Sequence, residues 1–256
     1  MHLDHHPAGP LAAYVEKVWY CDGYGAVHGT RRVLPNGRFQ LFISLSDAPV
    51  GGPGRANWEV GRGASSVVVG IRTYCSVINT AALQSAMGVL FWPGGARAFF
   101  DGSANVFYNE SIPLDLIWGS RAGELRDHLR GAGTAAEKFH VLEAALLERV
   151  DKRLELHPAV LYALGEFARA PHIRSVLGMA KEAGLSRRRF AQLFREQVGL
   201  TPKLYCRLHR FQDVVRQITL GAPVDWASLA LAGGTATKRT CRTNSGISQV
   251  PPPVPI

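Results

Sequence analysis

From Val33 to Leu45 the chain reads VLPNGRFQLFISL, a Pro35-Asn36-Gly37 turn followed by Phe39, Leu41, Ile43 and Leu45 alternating with Gln40, Phe42 and Ser44. Period two after such a turn predicts a β-hairpin. Further β-rich runs, Ser66 to Ile78 and Gly88 to Trp92, are separated by glycine-rich loops such as GGPGRANWEVGRG. The first hundred residues therefore predict a small β barrel or sandwich. Near Trp118 the period changes. Leu125 and Leu129 sit four apart, Phe139, Leu142, Leu146 and Val150 share one helical face, and Leu161, Leu164 and Phe167 follow Pro158 at a plausible helix start. These helices either link or dimerise domains or form the edge of the first domain's core.

From Ser175 the pattern sharpens into SVLGMAKEAGLSRRRFAQLFREQVGLTPKLYCRLHRFQDVVRQI. Ala180 and Gly184 are four apart, as two crossing helices joined by a tight turn require: a small residue at the contact and a glycine where the backbone turns. Met179, Leu185, Phe190 and Leu193 fill the core of that pair, and Ser186 is a natural N-cap for its second helix. The second helix has two faces, with Phe190, Leu193 and Phe194 inward and Arg188, Gln192 and Arg195 outward. Arginine and glutamine can read base edges in a major groove, so the pair reads as a helix-turn-helix with an arginine-lined recognition helix.

Charge strengthens that reading. The net charge is +9, and from Pro171 to Leu220 ten Lys/Arg stand against three Asp/Glu. Beyond them Asp225 removes one charge and Lys238, Arg239 and Arg242 add three, which leaves the first 170 residues neutral. Clustered cations joined to a neutral domain point to a polyanionic partner, because phosphate contacts gain affinity by counterion release. The fold class expected is α+β: a β-rich barrel- or sandwich-like domain with flanking helices over residues 1–155, an all-α helix-turn-helix domain over 156–234, and a tail over 235–256. No run of about 18 apolar residues could span a bilayer and MHLDHHPAG lacks a signal pattern, so a cytoplasmic location without a membrane partner is expected. Cys21, Cys75, Cys206 and Cys241 lack C-x-x-C spacing and read as reduced, structural thiols.

The stretch AKEAGLSRRRFAQLFREQVGLTPKLYCRLHRFQ resembles the DNA-binding domain of AraC-family transcriptional regulators, with the match running from about Ile173 to Gly234. The N-terminal phrases YVEKVWY, RRVLPNGRFQLFISL, FWPGGARAFF and PLDLIWG are similar to the β-rich sensor domain of one branch of that family. The resemblance implies double-stranded promoter or operator DNA as partner and a small-molecule effector, and it leaves room for a homodimer. Arg187, Arg188, Gln192 and Arg195 are the candidates for DNA contact, with Arg189 and Lys203 on phosphates. No cofactor or metal is expected.

The resemblance also implies a second helix-turn-helix about fifty residues on, and Leu229, Ala230 and Gly234 stand fifty positions after Met179, Ala180 and Gly184. There the chain instead reads TATKRTCRTNSGISQVPPPVPI, with three consecutive prolines and no apolar stripe. If one base was lost just after the Gly234 codon, permitted codons for this tail read in the restored frame as YCDQAHLSNEFRHFSG, similar to the family's second recognition helix. The tail from Thr235 is accordingly read as out-of-frame translation, with DNA binding weakened by loss of the second reader. A small-molecule-binding module whose DNA-binding function has decayed is the alternative. An enzyme has thin support: His2, His5 and His6 cluster near the terminus, but no nucleophile elbow, phosphate loop or H-E-x-x-H is present. Trp19, Trp92 and Phe99 are candidates to line an apolar effector pocket, although aromatic residues in β-rich segments are more often ordinary core.

Overall fold

A computed structural model of the chain describes residues 1–23, 29–47, 50, 64–151, 155–169 and 176–220. The GGPGRANWEVGRG loop, the Trp226 segment and the tail from Thr235 lie outside the described residues. The described residues form an α+β fold of eight strands and seven α-helices. The strands are β1 (His2–His5), β2 (Val15–Asp22), β3 (Thr30–Val33), β4 (Gln40–Ser44), β5 (Ser66–Val69), β6 (Ser76–Asn79), β7 (Ser85–Phe91) and β8 (Ser111–Pro113).

Six of them make one antiparallel sheet in the order β1-β2-β7-β4-β5-β8, while β3 and β6 pair separately. The sheet does not close, because β1 and β8 remain edges among the described residues; the expected barrel is not formed. Nor do the segments flanking the Pro35-Asn36-Gly37 turn form a hairpin. Gly37 takes φ 72° there, but β3 pairs with β6 whereas β4 pairs with β5 and β7. Both faces of β4 are buried, which explains why alternation alone gives the wrong partner. Leu41 and Ile43 enter the main core, while Phe42 enters a second cluster with Trp19, Val67 and Val69. The intervening Phe42 is apolar because its face is covered too, not because it belongs to a two-stranded ribbon.

The helices are α1 (Asp115–Trp118), α2 (Arg121–Gly131), α3 (Ala135–Arg149), α4 (Pro158–Arg169), α5 (Val176–Glu182), α6 (Arg187–Val198) and α7 (Pro202–Thr219). In α3 a capping box holds the start: the Glu137 backbone N–H donates to the Thr134 hydroxyl at 3.2 Å while the Glu137 carboxylate accepts from the Thr134 backbone N–H at 3.2 Å. Its face Phe139, Leu142 and Leu146 is buried as its period predicts. In α4 the register differs from the expected one. Leu161 is 61% exposed, and Val160, Ala163 and Phe167 are the residues that turn inward.

One continuous core runs from the sheet through α2 and α3 into α4, α5, α6 and α7. Its C-terminal part is aromatic. Phe194 lies 5.9 Å from Phe167 and 5.4 Å from Tyr205, ring centre to ring centre, and Phe190 packs 6.1 Å from Phe194. Burying such rings stabilises by roughly 1.5–3 kcal/mol each, so this cluster is what fixes α6 against its neighbours.

Candidate nucleic-acid interface

The joint between α5 and α6 follows from four consecutive residues, Ala183 to Ser186. The Gly184 N–H donates to the Lys181 carbonyl at 3.0 Å and the Leu185 N–H reaches back to the Ala180 carbonyl at 2.9 Å. That bond pair ends a helix with a left-handed residue, and Gly184 supplies it at φ 66°. One residue later the Ser186 hydroxyl accepts from the Arg189 N–H at 3.2 Å and opens α6. The chain thus leaves one helix and enters the next in the fewest residues that can satisfy both sets of helix-end groups.

The buried face of α6 is Phe190, Leu193, Phe194 and Val198. Arg187, Arg188, Arg189, Gln192 and Arg195 are all exposed. At 3.6 residues per turn, Arg188, Gln192 and Arg195 lie within about 60° of one another around the axis, and Arg187 and Arg189 each stand about 100° from Arg188. The first three are brought together on one stripe, and the other two flank it. Lys203 is exposed in the first turn of α7, whose N-cap Thr201 accepts from the Leu204 N–H at 3.4 Å. The stripe is not bare side chain alone: the Gln192 amide donates to the Glu196 carboxylate at 2.8 Å.

The opposite end of α6 is held by residues that precede it in the chain. The Ser103 hydroxyl donates to the Glu196 carbonyl at 3.3 Å, and the His157 N–H donates to the Gln197 side chain at 2.8 Å. A Cβ on Gly199, which closes α6 at φ 91°, would come within 3.2 Å of the Ala104 carbonyl and the Phe39 ring. The α7 helix is docked in the same way: the Gln212 amide donates to the Pro35 carbonyl, and Leu208 packs on Gly37.

Between these contacts lies a small cleft lined by Phe39, Arg97, Phe100, Ala104, Phe107 and Gln197. Its cavity volume is about 10 Å³, room for a single water-sized guest. Phe39 and Phe107 meet edge to face at 5.7 Å, and Phe100 and Phe107 are 6.1 Å apart. Nε and Nη1 of Arg97 are buried with no hydrogen-bond partner among the described residues. Burial pushes the Arg97 pKa down, and the Glu196 carboxylate opposes that shift. The sequence reading passed over Arg97 and Glu196. The available signal was one cation inside the otherwise apolar run Ala96 to Phe100.

Other expected sites do not assemble. Trp19 lies in the second core cluster, Phe99 in the main one, and Trp92 is 41% exposed beneath the Arg38 guanidinium, so the three line no common pocket. His2 bonds Asp4 at 3.1 Å, His5 bonds Glu143 at 2.9 Å and His6 bonds the Glu16 carbonyl at 2.9 Å, three separate partners. Cys21, Cys75 and Cys206 are free thiols, and burial pushes Cys21 and Cys206 up to about 11; Cys241 lies outside the described residues. Among the described residues no helix is long and apolar enough to cross a membrane.

Residues 3–113 match a family described as a domain of unknown function, DUF6597. The N-terminal sheet is a DUF6597 domain. The match begins inside β1, runs to the end of β8 and stops just before α1. No curated protein and no solved structure matches the chain.

Proposed function

We propose that the chain is a sequence-specific DNA-binding transcriptional regulator of the AraC type, responsive to a small-molecule effector through its DUF6597 domain. The observation that carries this reading is the α6 stripe: Arg188, Gln192 and Arg195 exposed on one side of a helix whose other side is buried aromatic core. Side chains of these types at helical spacing suit base edges in a major groove, and Arg187, Arg189 and Lys203 suit the flanking phosphates. Domains of the N-terminal type typically occur in AraC-type regulators, which supports the same reading.

The second reader is where this chain departs from that type. The tail from Thr235 is out-of-frame translation in this proposal, and losing a second recognition helix removes base contacts worth about 1–3 kcal/mol each. Binding by the chain is then weak and strongly salt-dependent, and specificity is poor. Sequencing the gene across the codons for Leu231 to Gln249 tests the frame: one additional base restoring YCDQAHL supports it, and the present frame read again from fresh template rejects it. A fluorescence titration with duplex DNA tests the function, and saturable binding that falls steeply with salt is the expected result.

A further inference from the structure

Two of the three side chains on the α6 stripe can only donate. Arg188 and Arg195 carry guanidinium N–H groups and no acceptor, so the amide oxygen of Gln192 is the acceptor of the stripe. Which way that amide faces is settled by its neighbour. Glu196 stands one turn on, about 40° beyond Gln192 around the axis, and its carboxylate accepts from Gln192 Nε2 at 2.8 Å. An ionised carboxylate only accepts, so the flipped amide would set two oxygens against each other. Glu196 is half-buried whereas Gln192 is exposed, and the turn that carries Glu196 is fastened. The Ser103 hydroxyl donates to the Glu196 carbonyl at 3.3 Å, and the His157 N–H donates to the adjacent Gln197 side chain at 2.8 Å. Glu196 is therefore the fixed partner of the pair, and Gln192 is the one it orients.

We propose that Glu196 is a positioning residue that sets Gln192 to read adenine. Glu196 holds the amide hydrogen remote from the carbonyl, which leaves the oxygen and the near hydrogen side by side for a base edge. That acceptor and donor together match N6 and N7 of adenine, whereas guanine offers two acceptors, thymine one acceptor and cytosine one donor. To turn both hydrogens toward guanine, the amide must give up the carboxylate, a charge-assisted bond. Arg188 and Arg195 match guanine O6 and N7, so the stripe is set for an adenine beside guanines. The base assignment rests on the proposed DNA contact of α6; the orientation of the amide does not.

The test has two readouts on the full chain. In the first, duplexes randomised over one half-site are mixed with protein at low salt, and the bound and unbound fractions are sequenced. The position whose bias disappears in Gln192→Ala is the one Gln192 reads, and the parent is expected to favour adenine there about fivefold or more. In Glu196→Ala that excess is expected to fall about threefold, the worth of one side-chain hydrogen bond, while guanine bias at neighbouring positions stays. Glu196→Gln keeps the shape but accepts either orientation of Gln192, so it is expected to match Glu196→Ala; a merely structural Glu196 would be replaced by glutamine without effect. The second readout is the proton–nitrogen spectrum of the Gln192 side-chain amide without DNA. The proton remote from the oxygen is expected to be displaced in the parent and to return to its ordinary shift in Glu196→Ala. An adenine excess unchanged in both Glu196 variants overturns the positioning role, as does an equal loss of bias at every position. A different base at the Gln192 position overturns the assignment to adenine. Amide protons unaffected by Glu196→Ala overturn the orientation itself. A parent that selects no sequence fails the proposed function and takes the base assignment with it, while the amide spectrum still decides whether Glu196 orients Gln192.

Discussion

Gly184 isolates backbone conformation from packing at the α5–α6 joint. A Cβ there would meet nothing within 4 Å, yet φ is +66°. Placing alanine in the left-handed region costs about 1–2 kcal/mol, and the less flexible unfolded chain returns roughly 0.4–1 kcal/mol of that. Gly184→Ala is therefore expected to lose about 1 kcal/mol net, or about 2–4 °C in midpoint for a chain of this size. Gly184→Asn should recover part of the loss, since asparagine tolerates this region better. The contrast is Gly70, whose φ is not in that region but where a Cβ would lie 1.7 Å from the Phe107 carbonyl oxygen. That overlap is with backbone, so Gly70→Ala must displace the sheet or the Ser103 to Phe107 segment and lose about 3 kcal/mol or more. Urea unfolding followed by circular dichroism measures all three variants. If Gly184→Ala is as stable as the parent, or as damaged as Gly70→Ala, the assignment of Gly184 to conformation alone is wrong.

Ser186→Ala should lower stability by about 1 kcal/mol in the same assay by leaving the Arg189 N–H without its cap; an unchanged midpoint would show that the cap contributes nothing. His209 predicts a pH dependence. It is pushed below its ordinary 6.5, first by burial and then by the Arg38 charge, with Asp213 opposing, and its ring lies 4.4 Å from Tyr205. The unfolded chain therefore binds more protons than the folded one as pH falls below 6.5, and stability drops through that window. Midpoints measured from pH 7.5 to 5 should fall more steeply for the parent than for His209→Gln, and parallel curves would refute the His209 origin.

The C-terminal helices were legible because their signals are local. Ala180, Gly184 and Ser186 each do a job set by the backbone within five residues, and the α6 faces follow from a period of 3.6. The sheet was not legible in the same way. The Pro35-Asn36-Gly37 turn is a real left-handed turn, but what β3 pairs with is decided by Ser76 to Asn79, more than forty residues away. Likewise Phe42 is apolar for a second core that alternation cannot announce, and Leu161 misled because Val160 and Ala163 give a competing face one residue earlier. Arg97 escaped notice because a lone cation among apolar residues gains meaning only when Phe39, Phe107 and Gln197 are brought around it.

A paired titration tests whether α6 carries the DNA contact. The full chain and its Arg188→Ala/Gln192→Ala/Arg195→Ala variant are titrated against fluorescent duplexes drawn from a randomised library, at two salt concentrations. All three side chains are exposed, so the variant should unfold at the parent's midpoint. Three lost contacts of about 1–3 kcal/mol each should reduce its affinity at least a hundredfold. Equal binding by parent and variant would contradict the account and move any DNA contact away from this helix.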